Sequence, residues 1–484
     1  MIYPSLSEFK VLSRKHSLVP VWVECAGDEV TPLGLFHSLY DKSPHAFLLE
    51  SVEGGEHLGR YSFAAFEPRK ILRCTDAPVY APKGVGPLAV VREALSRERA
   101  PEVRGLPRFY GGAVGFVSYD AVRSFERLPV REPLSPGAPP CVFFLTGDLF
   151  IFDHAAHTIK LVRTVSVPKG ASAERVYRKA AQELTAHVKT LRVVPSPLSP
   201  LSAPERRPLV VSKAERLKFE DAVRRAKEYI SAGDIIQVVP SRRVSRPVTA
   251  HPLAIYRALR RVNPSPYMYF FRDGDRHVIG SSPETLVRLE DGVAETRPIA
   301  GTRPRGITAE DDERLAKDLL ADPKERAEHV MLVDLARNDL GRVSKTGSIR
   351  VPEFMAVDRY SHVMHIVSRV TGELKSDQDA FDLFRAVFPA GTLSGAPKIR
   401  AMEIIDELEG AGRGLYGGAV GYFSYTGNMD MAIAIRTILL EKGVAHLQAG
   451  AGVVADSVPA KEFEETQNKM AALVAALRLA GETL

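Results

Sequence analysis

The chain has 484 residues, of which 45% are hydrophobic and 26% charged, and its formal net charge is +6. This composition is typical of a globular protein with one very large domain or two to three ordinary ones. The absence of any run of eighteen apolar residues argues against a transmembrane helix. Because basic residues are scattered among acidic ones, nucleic-acid binding is not expected.

The N-terminus and the cysteines favour a cytoplasmic protein. The first sixteen residues lack the apolar core of a signal peptide. Cys25, Cys74 and Cys141 have no CxxC spacing and cannot form a complete set of disulfides. Such cysteines are expected in a reducing compartment.

Two regions and a linker are predicted along the chain. Residues 47–51 have the pattern of a short buried strand that ends in polar groups. Residues 193–207 are dense in proline and serine, which discourages regular structure. We therefore expect an N-terminal region at 1–192, a linker at 193–207 and a catalytic region at 208–484.

The second region alternates helical patterns with strands. Helices are predicted at 213–232, 311–321, 323–340, 398–408 and 459–480. Near the C-terminus, strands ending at Tyr425, running from Met429 to Leu440, and covering 444–454 are separated by turn residues. Hairpin-connected strands interrupted by helices favour an α+β fold with antiparallel sheets over a doubly wound parallel fold.

One segment is repeated within the chain. Residues 110–119 (YGGAVGFVSY) and 416–425 (YGGAVGYFSY) are identical at eight of ten positions. A duplication or two equivalent strands explains this better than chance. The glycines predict a close approach of backbones or a bulge.

Four glutamates are predicted to lie on or beside the apolar stripes of two helices, where a carboxylate is costly unless a positive charge meets it. Glu325 and Glu328 share a stripe with Leu332 and Leu335. The second pair is Glu462 and Glu465. Four such carboxylates indicate a divalent cation, and Mg²⁺ suits a site that leaves room for substrate. The alternative is a set of solvated helix surface pairs.

Three further positions carry possible chemistry. Arg436 interrupts an apolar strand, which predicts an anion beside it, unless it forms an internal salt bridge or faces solvent. In residues 391–398 (GTLSGAPK), Ser394 is a candidate N-cap of the next helix, and the glycines suit either an anion site or a plain helix entry. His365 lies in an apolar run and is either functional or a satisfied core histidine.

Several long segments together resemble the chorismate-utilising enzymes, and within that family the large subunits that form anthranilate. The resemblance covers most of the chain and is densest from about residue 213 to 475. The motifs that carry it are 233–242 (GDIIQVVPSR), 279–284 (IGSSPE), 297–303 (RPIAGTR), 328–339 (EHVMLVDLARND), 391–398 (GTLSGAPK) and 449–453 (AGAGV).

The resemblance implies a fold of two large antiparallel β-sheets packed as a sandwich with helices outside, and Mg²⁺-dependent chemistry on chorismate. Glu284 matches a general acid, and His365 matches a residue associated with pyruvate elimination. Glu328 and Glu465 match direct metal ligands, and Glu325 and Glu462 match ligands acting through water. The matching substrate-binding positions are Thr392, Tyr416, Arg436, Gly450, Gly452, Ala300 and Thr302.

Two positions favour one reaction within the family. Relatives that add water resemble one another in carrying a lysine where this chain has Gln237, so ammonia is the expected nucleophile. Aminodeoxychorismate synthases with the motif PIKGT carry a lysine where this chain has Ala300 in PIAGT. Formation of anthranilate, the first step of tryptophan synthesis, is therefore expected, with aminodeoxychorismate synthase of folate synthesis as the alternative.

The resemblance also implies regulation and a partner. Glu50 and Ser51 match one wall of a site for the inhibitor L-tryptophan, with Pro266, Tyr267 and Met268 on the other wall. We expect the carboxylate of Glu50 to meet the ligand ammonium while Met268 packs against the indole. A separate glutamine amidotransferase subunit is expected to supply ammonia in a hetero-oligomer. A catalytically silent tryptophan sensor is the alternative from another functional class.

Overall fold

The computed structural model describes residues 1–51, 59–74, 84–129, 139–190, 211–360 and 363–481. The predicted linker at 193–207 lies outside these ranges. Within them, no helix is both long and apolar enough to cross a membrane.

The strands are β1 (Ile2–Tyr3), β2 (Val19–Ala26), β3 (His45–Glu50), β4 (Tyr61–Phe66), β5 (Lys70–Cys74), β6 (Gly112–Val117), β7 (Cys141–Leu145), β8 (Asp148–Asp153), β9 (Thr158–Val165), β10 (Gln237–Val238), β11 (Ser241–Pro247), β12 (Tyr267–Asp273), β13 (Arg276–Ser282), β14 (Thr285–Glu290), β15 (Val293–Thr296), β16 (Ile299–Pro304), β17 (Arg350–Arg359), β18 (Val363–Glu373), β19 (Gly395–Ala396), β20 (Ala419–Ser424), β21 (Met429–Ile433), β22 (Thr437–Glu441) and β23 (Val444–Gly450).

The α-helices are α1 (Leu6–Lys15), α2 (Pro32–Leu39), α3 (Ala89–Ser96), α4 (Ala173–Thr190), α5 (Lys213–Ser231), α6 (Pro252–Val262), α7 (Ala309–Ala321), α8 (Pro323–Gly341), α9 (Ala380–Val387), α10 (Gly391–Ser394), α11 (Lys398–Glu409) and α12 (Pro459–Leu479). Short 3₁₀ helices cover Tyr40–Lys42, Gly86–Leu88 and Tyr119–Ser124.

Two large sheets organise the described residues. The first has the strand order β1-β2-β9-β8-β4-β3-β12-β13-β22-β23-β11. The second has the order β16-β18-β15-β14-β21-β20-β6-β7-β5, with β17 also paired to β18. The pairings are antiparallel, for example β3 with β12 and β6 with β20. Strands from both sides of the predicted linker occur in each sheet.

The two sheets pack face to face through an aromatic core. Phe271 of the first sheet stacks on Phe144 of the second with ring centroids 4.2 Å apart, and it meets Phe116 edge-on. Such pairs add about 0.5–1.5 kcal/mol beyond their area burial. On the outer face of the first sheet, Phe270 packs against Phe36 of α2 and Tyr256 of α6. The predicted α+β sandwich with outside helices is confirmed.

The repeated segments form adjacent strands in the second sheet. Strands β6 and β20 pair antiparallel, with Gly115 opposite Gly421. A Cβ atom on Gly115 would lie 1.9 Å from the carbonyl oxygen of Val142, and one on Gly421 would lie 2.1 Å from that of Asp430. The predicted close approach of backbones is therefore what these glycines provide.

Two local predictions were wrong. The segment from Met429 to Leu440 is two strands in different sheets, because the chain leaves the second sheet after β21 and enters the first at β22. The apolar run continues across the break since both strands are buried, so periodicity does not mark it. Ser394 does not cap α11, because its hydroxyl donates to the carbonyl oxygen of Ala390 within α10.

Candidate active site

Glu284 follows β13 and lies against the short helix α10. Thr392 Oγ1 donates a hydrogen bond to Glu284 Oε1 over 2.8 Å. Burial raises the pKa of Glu284 to about 7, although the Thr392 hydrogen bond and the charge of Lys469 oppose the rise. A carboxyl group with this pKa is protonated for much of the time near neutral pH, which suits a general acid.

Arg436 lies where the chain crosses from the second sheet to the first. Within the described residues its guanidinium makes no ion pair and no hydrogen bond, so the predicted alternative of an internal salt bridge is not found. Burial lowers the pKa of Arg436, and nearby Tyr416 and Glu465 oppose this. A guanidinium that is withdrawn from water and has no ion-pair partner among the described residues is suited to an anionic ligand.

Tyr416 lies beside Arg436, and its hydroxyl is close to Gly450 at the end of β23. We refer to the space that these residues share with Glu284 as the candidate pocket. A Cβ atom on Gly450 would lie 2.9 Å from the Tyr416 hydroxyl and 2.7 Å from the carbonyl oxygen of Pro240. Burial raises the pKa of Tyr416, so the phenol stays protonated and can donate to a ligand. Only glycine leaves this approach open.

The two glutamate pairs lie on α8 and α12, which bring their carboxylates into electrostatic contact. The pKa of Glu328 is raised by burial first, and then by the charges of Glu325 and Glu465. The pKa of Glu462 is likewise raised by burial and by Glu465. Glu465 also accepts an ion pair from Lys469 at 2.6 Å. The prediction that these distant segments meet is supported by this mutual repulsion.

The four glutamates have the ligand chemistry of a site for a hard cation, but their side chains are not arranged closely enough to hold one. All four side chains offer carboxylate oxygens, the ligands that Mg²⁺ prefers. The pKa values of Glu328 and Glu462 are raised first by burial and then by neighbouring carboxylates, so a cation at this place would stabilise their charged forms. In the described ranges, no group of three or more His, Cys, Asp or Glu is drawn together closely enough to hold a metal ion. The residue chemistry therefore fits Mg²⁺, and the side chains would have to close around it.

Gln237 lies beside this cluster on β10. Its Nε2 donates to Glu328 Oε1 over 3.5 Å, and a Cβ atom on Gly452 would lie 2.7 Å from the same nitrogen. The amide oxygen Oε1 is buried and has no hydrogen-bond partner in the structure. A buried acceptor without a donor is destabilising, which makes this oxygen a candidate contact for an N–H ligand.

His365 lies on β18 opposite a bulge in β16. Its Nδ1 donates to the carbonyl oxygen of Gly301 over 2.8 Å and lies 3.1 Å from Thr302 Oγ1. Burial lowers the pKa of His365, and the charge of Arg436 lowers it further, so the ring is neutral with Nε2 as the acceptor. Ala300, which precedes the bulge, is buried, whereas Thr302 is exposed.

The residues predicted to bind L-tryptophan line one cavity between the sheets. Across the cavity from Ser51, Pro266 and Tyr267 lie Asp430 of the second sheet and Arg108 of the segment before β6. The Tyr267 hydroxyl donates to Asp430 Oδ1 over 2.9 Å and lies 2.9 Å from Thr285 Oγ1. Strand β14, which begins directly after Glu284, therefore contacts this cavity through a hydrogen bond.

Two side chains of this set do not have the orientation that the sequence suggested. Glu50 Oε2 accepts a hydrogen bond from Tyr256 of α6 over 2.6 Å and is 3.4 Å from Arg260 Nε. The Met268 side chain belongs to the same core between the first sheet and its outer helices. Because successive strand residues alternate faces, Glu50 and Met268 offer the cavity their backbone rather than their side chains.

Comparison with known proteins places this geometry in a family. A family model described as chorismate binding enzyme matches residues 44–475. The chain belongs to the chorismate-binding enzyme family. Anthranilate synthase component 1 of Pseudomonas aeruginosa is 49% identical over 97% of both chains, and that of Acetivibrio thermocellus is 45% identical over the full length of both. Within the family, the chain therefore belongs to the anthranilate synthase component 1 group.

A solved structure of the chorismate-binding family agrees with the fold. The crystal structure of anthranilate synthase component I from Streptococcus pneumoniae has a TM-score of 0.73 and 39% identity. The match covers 86% of this chain and 92% of that one. The sheet sandwich is thus the fold of a chorismate-binding enzyme.

Two groups beside the candidate site residues were not predicted from the sequence. Lys469 Nζ donates to the carbonyl oxygen of Gly450 over 3.0 Å, and its charge lowers the pKa of Glu284. It lies one helical turn after Glu465, a spacing that could have indicated it. The carbonyl oxygen of Gly301 carries no side-chain signal, and only the fold places it beside His365.

Proposed function

We propose that this chain is the chorismate-converting component of anthranilate synthase, which aminates chorismate at C2 with ammonia and then eliminates pyruvate. The observation that carries the proposal is the position of Glu284, an acid with a pKa of about 7, in one pocket with the unpaired Arg436 and the glutamate cluster. Chorismate carries two carboxylates and a hydroxyl leaving group, so these features complement it.

Each end of the pocket would bind one of the two carboxylates of chorismate. Arg436 and the Tyr416 hydroxyl would hold the enolpyruvyl carboxylate, because a guanidinium and a protonated phenol both donate. Glu328 and Glu465 would hold Mg²⁺ directly, with Glu325 and Glu462 acting through water. When bound, the ion supplies positive charge at the ring carboxylate and favours loss of the C4 hydroxyl.

Different residues would supply the proton for the leaving group and bind the nucleophile. Glu284, oriented by Thr392, would donate its proton to the C4 hydroxyl as that C–O bond breaks. The buried Gln237 Oε1 can accept a hydrogen bond from ammonia, and an amide cannot act as a base towards water. In the second step, neutral His365 can accept the C2 proton at Nε2 while the bond between ring C3 and the enolpyruvyl oxygen breaks. The electron pair of the C2–H bond completes the aromatic ring, and the released enolpyruvate takes up a proton to become pyruvate.

The partner and the inhibitor extend the proposal. The name of the relatives, component 1, implies a second component, and we propose a glutamine amidotransferase that supplies ammonia in a hetero-oligomer. L-Tryptophan would bind the cavity between the sheets through Ser51, Pro266, Tyr267 and the backbone of Glu50 and Met268. We propose that the reaction takes place in the cytoplasm, which suits the free thiols of Cys25 and Cys141.

A product assay tests the reaction. The purified chain would be incubated with chorismate, Mg²⁺ and an ammonium salt, and both anthranilate fluorescence and pyruvate release would be followed. We expect equal amounts of anthranilate and pyruvate. A non-aromatic aminodeoxychorismate that accumulates without pyruvate would instead assign the chain to the alternative reaction, and no turnover at all would favour a tryptophan sensor.

A further inference from the structure

Arg413 is among the most buried charged groups of the described residues and lies outside the substrate pocket. Only 2% of the residue is exposed. Its Nη1 donates to the carbonyl oxygen of Leu393 over 2.7 Å, and its Nη2 donates to that of Val239. Because backbone carbonyls from two separate segments converge on one guanidinium, Arg413 fixes those segments relative to each other.

A buried carboxylate completes the arrangement. Glu409, at the end of α11, binds Arg413 with an Nη2–Oε1 distance of 2.6 Å. The same Glu409 Oε1 accepts from the backbone N–H of Ser241 over 2.7 Å and from its hydroxyl over 2.8 Å. The ion pair therefore ties a third segment, the start of β11, to the other two.

The backbone around Arg413 is itself held in place. Asp120 Oδ1 accepts from the N–H of Arg413 over 3.2 Å, and Oδ2 accepts from that of Gly414 over 2.8 Å. The guanidinium also lies over the ring of Tyr416, with its carbon 5.5 Å from the centroid. Cation–π contacts of this kind orient an aromatic ring.

The segments that meet at Arg413 each carry a proposed substrate contact. Thr392 precedes Leu393, Gln237 lies two residues before Val239, and Gly450 is the cross-strand partner of Ser241. Tyr416 contacts the guanidinium directly. Four positions from distant parts of the chain are thus set by one ion pair.

We propose that Arg413, paired with Glu409, is a positioning residue that fixes the chorismate-binding walls of the pocket without touching the substrate. The inference rests on the proposed function. A lysine at this position offers a single ammonium in place of a planar fork, so it cannot serve both carbonyl groups and the carboxylate. The walls would then lose their fixed spacing while the fold persists.

The buried pair Arg123–Asp406 provides a matched control. Arg123 Nη2 donates to Asp406 Oδ1 over 2.7 Å, and Asp406 lies on the same helix as Glu409, one turn earlier. The other hydrogen-bond partner of this guanidinium among the described residues is the carbonyl oxygen of Pro129. We therefore expect Arg123→Lys to disturb a second buried ion pair without loosening a substrate wall.

The test compares steady-state kinetics of Arg413→Lys, Glu409→Gln and Arg123→Lys with ammonium salt as the nitrogen source, alongside urea unfolding. For Arg413→Lys we expect KM for chorismate to rise about tenfold or more, with kcat reduced less, because binding walls are displaced. Arg123→Lys should lower the unfolding midpoint and leave KM unchanged.

Each outcome decides the question. Unchanged kinetics of Arg413→Lys, or an equal rise of KM in Arg123→Lys, would overturn the inference. If Arg413→Lys does not fold, Glu409→Gln, which keeps the side-chain shape, decides by the same rise of KM. Wild-type turnover to anthranilate is measured first, so a failure of the proposed reaction is distinguished from a failure of the positioning role.

Discussion

Glu284 sets the pH dependence of the proposed reaction. Its pKa of about 7 comes from burial, and the protonated form is the one that can donate to the leaving hydroxyl. Since the active form is lost as pH rises through about 7, kcat/KM for chorismate should fall above that pH when free ammonia is held constant. Below it, this group should impose no limit.

Substitution of the same residue removes this pH limb. Glu284→Gln keeps the hydrogen bond from Thr392 but has no proton to donate, so kcat should fall by roughly 10²–10⁴-fold. Rapid-quench measurement of pyruvate across the pH range checks both statements. A Glu284→Gln enzyme that retains the wild-type pH profile would assign the proton to another group.

Among the helices, α8 and α12 are the pair whose relative position creates the acidic cluster. Glu328→Gln should raise the Mg²⁺ concentration for half-maximal activity by about 10–100-fold. The substitution removes one of the two carboxylates proposed to bind the ion directly. Glu464→Gln is the matched control on α12, since Glu464 is exposed and lies one residue before Glu465. Activity is measured for both variants as a function of Mg²⁺ concentration. If both variants respond equally, the glutamate cluster is not the metal site.

The crossing between β21 and β22 holds Arg436 in a left-handed backbone conformation with φ of 50°. This conformation disfavours non-glycine residues, and the side chain buries an unpaired charge as well. Arg436→Gly should therefore be more stable than Arg436→Ala by about 1 kcal/mol. Both variants should bind chorismate at least about tenfold more weakly. Urea unfolding and chorismate KM measure the two effects, and equal stability would mean that the crossing carries no strain.

At the scale of the molecule, sequence patterns allowed the α+β class and the helices to be predicted, and the family resemblance implied the sandwich. Glu325 and Glu328 could be placed on a stripe because helical periodicity fixes a face. The break at 434–436 could not be predicted, because buried strands of two different sheets have the same apolar pattern. The side chain of Glu50 points towards helix α6, and Arg413 joins three segments of the chain. Both arrangements depend on partners from distant segments, which no local sequence pattern indicates.

The cavity between the sheets predicts a whole-molecule response to tryptophan. Its walls come from both sheets, so a ligand there ties them together and stabilises the folded state by about 2.7 kcal/mol at a hundred times its Kd. We expect L-tryptophan to raise the melting temperature and to inhibit wild-type turnover. Ser51→Leu should lose both effects, because the added side chain intrudes on the cavity, while turnover with ammonium salt is kept.

Arg436→Ala separates this response from occupation of the active site. It removes the proposed grip on chorismate but leaves the cavity intact, so its melting temperature should still rise with tryptophan. Inhibition requires that tryptophan bind the inactive arrangement more tightly than the active one, and the contact from Tyr267 to Thr285, next to Glu284, is a direct route for that difference. If the thermal shift vanishes in Arg436→Ala and persists in Ser51→Leu, tryptophan binds in the catalytic pocket instead.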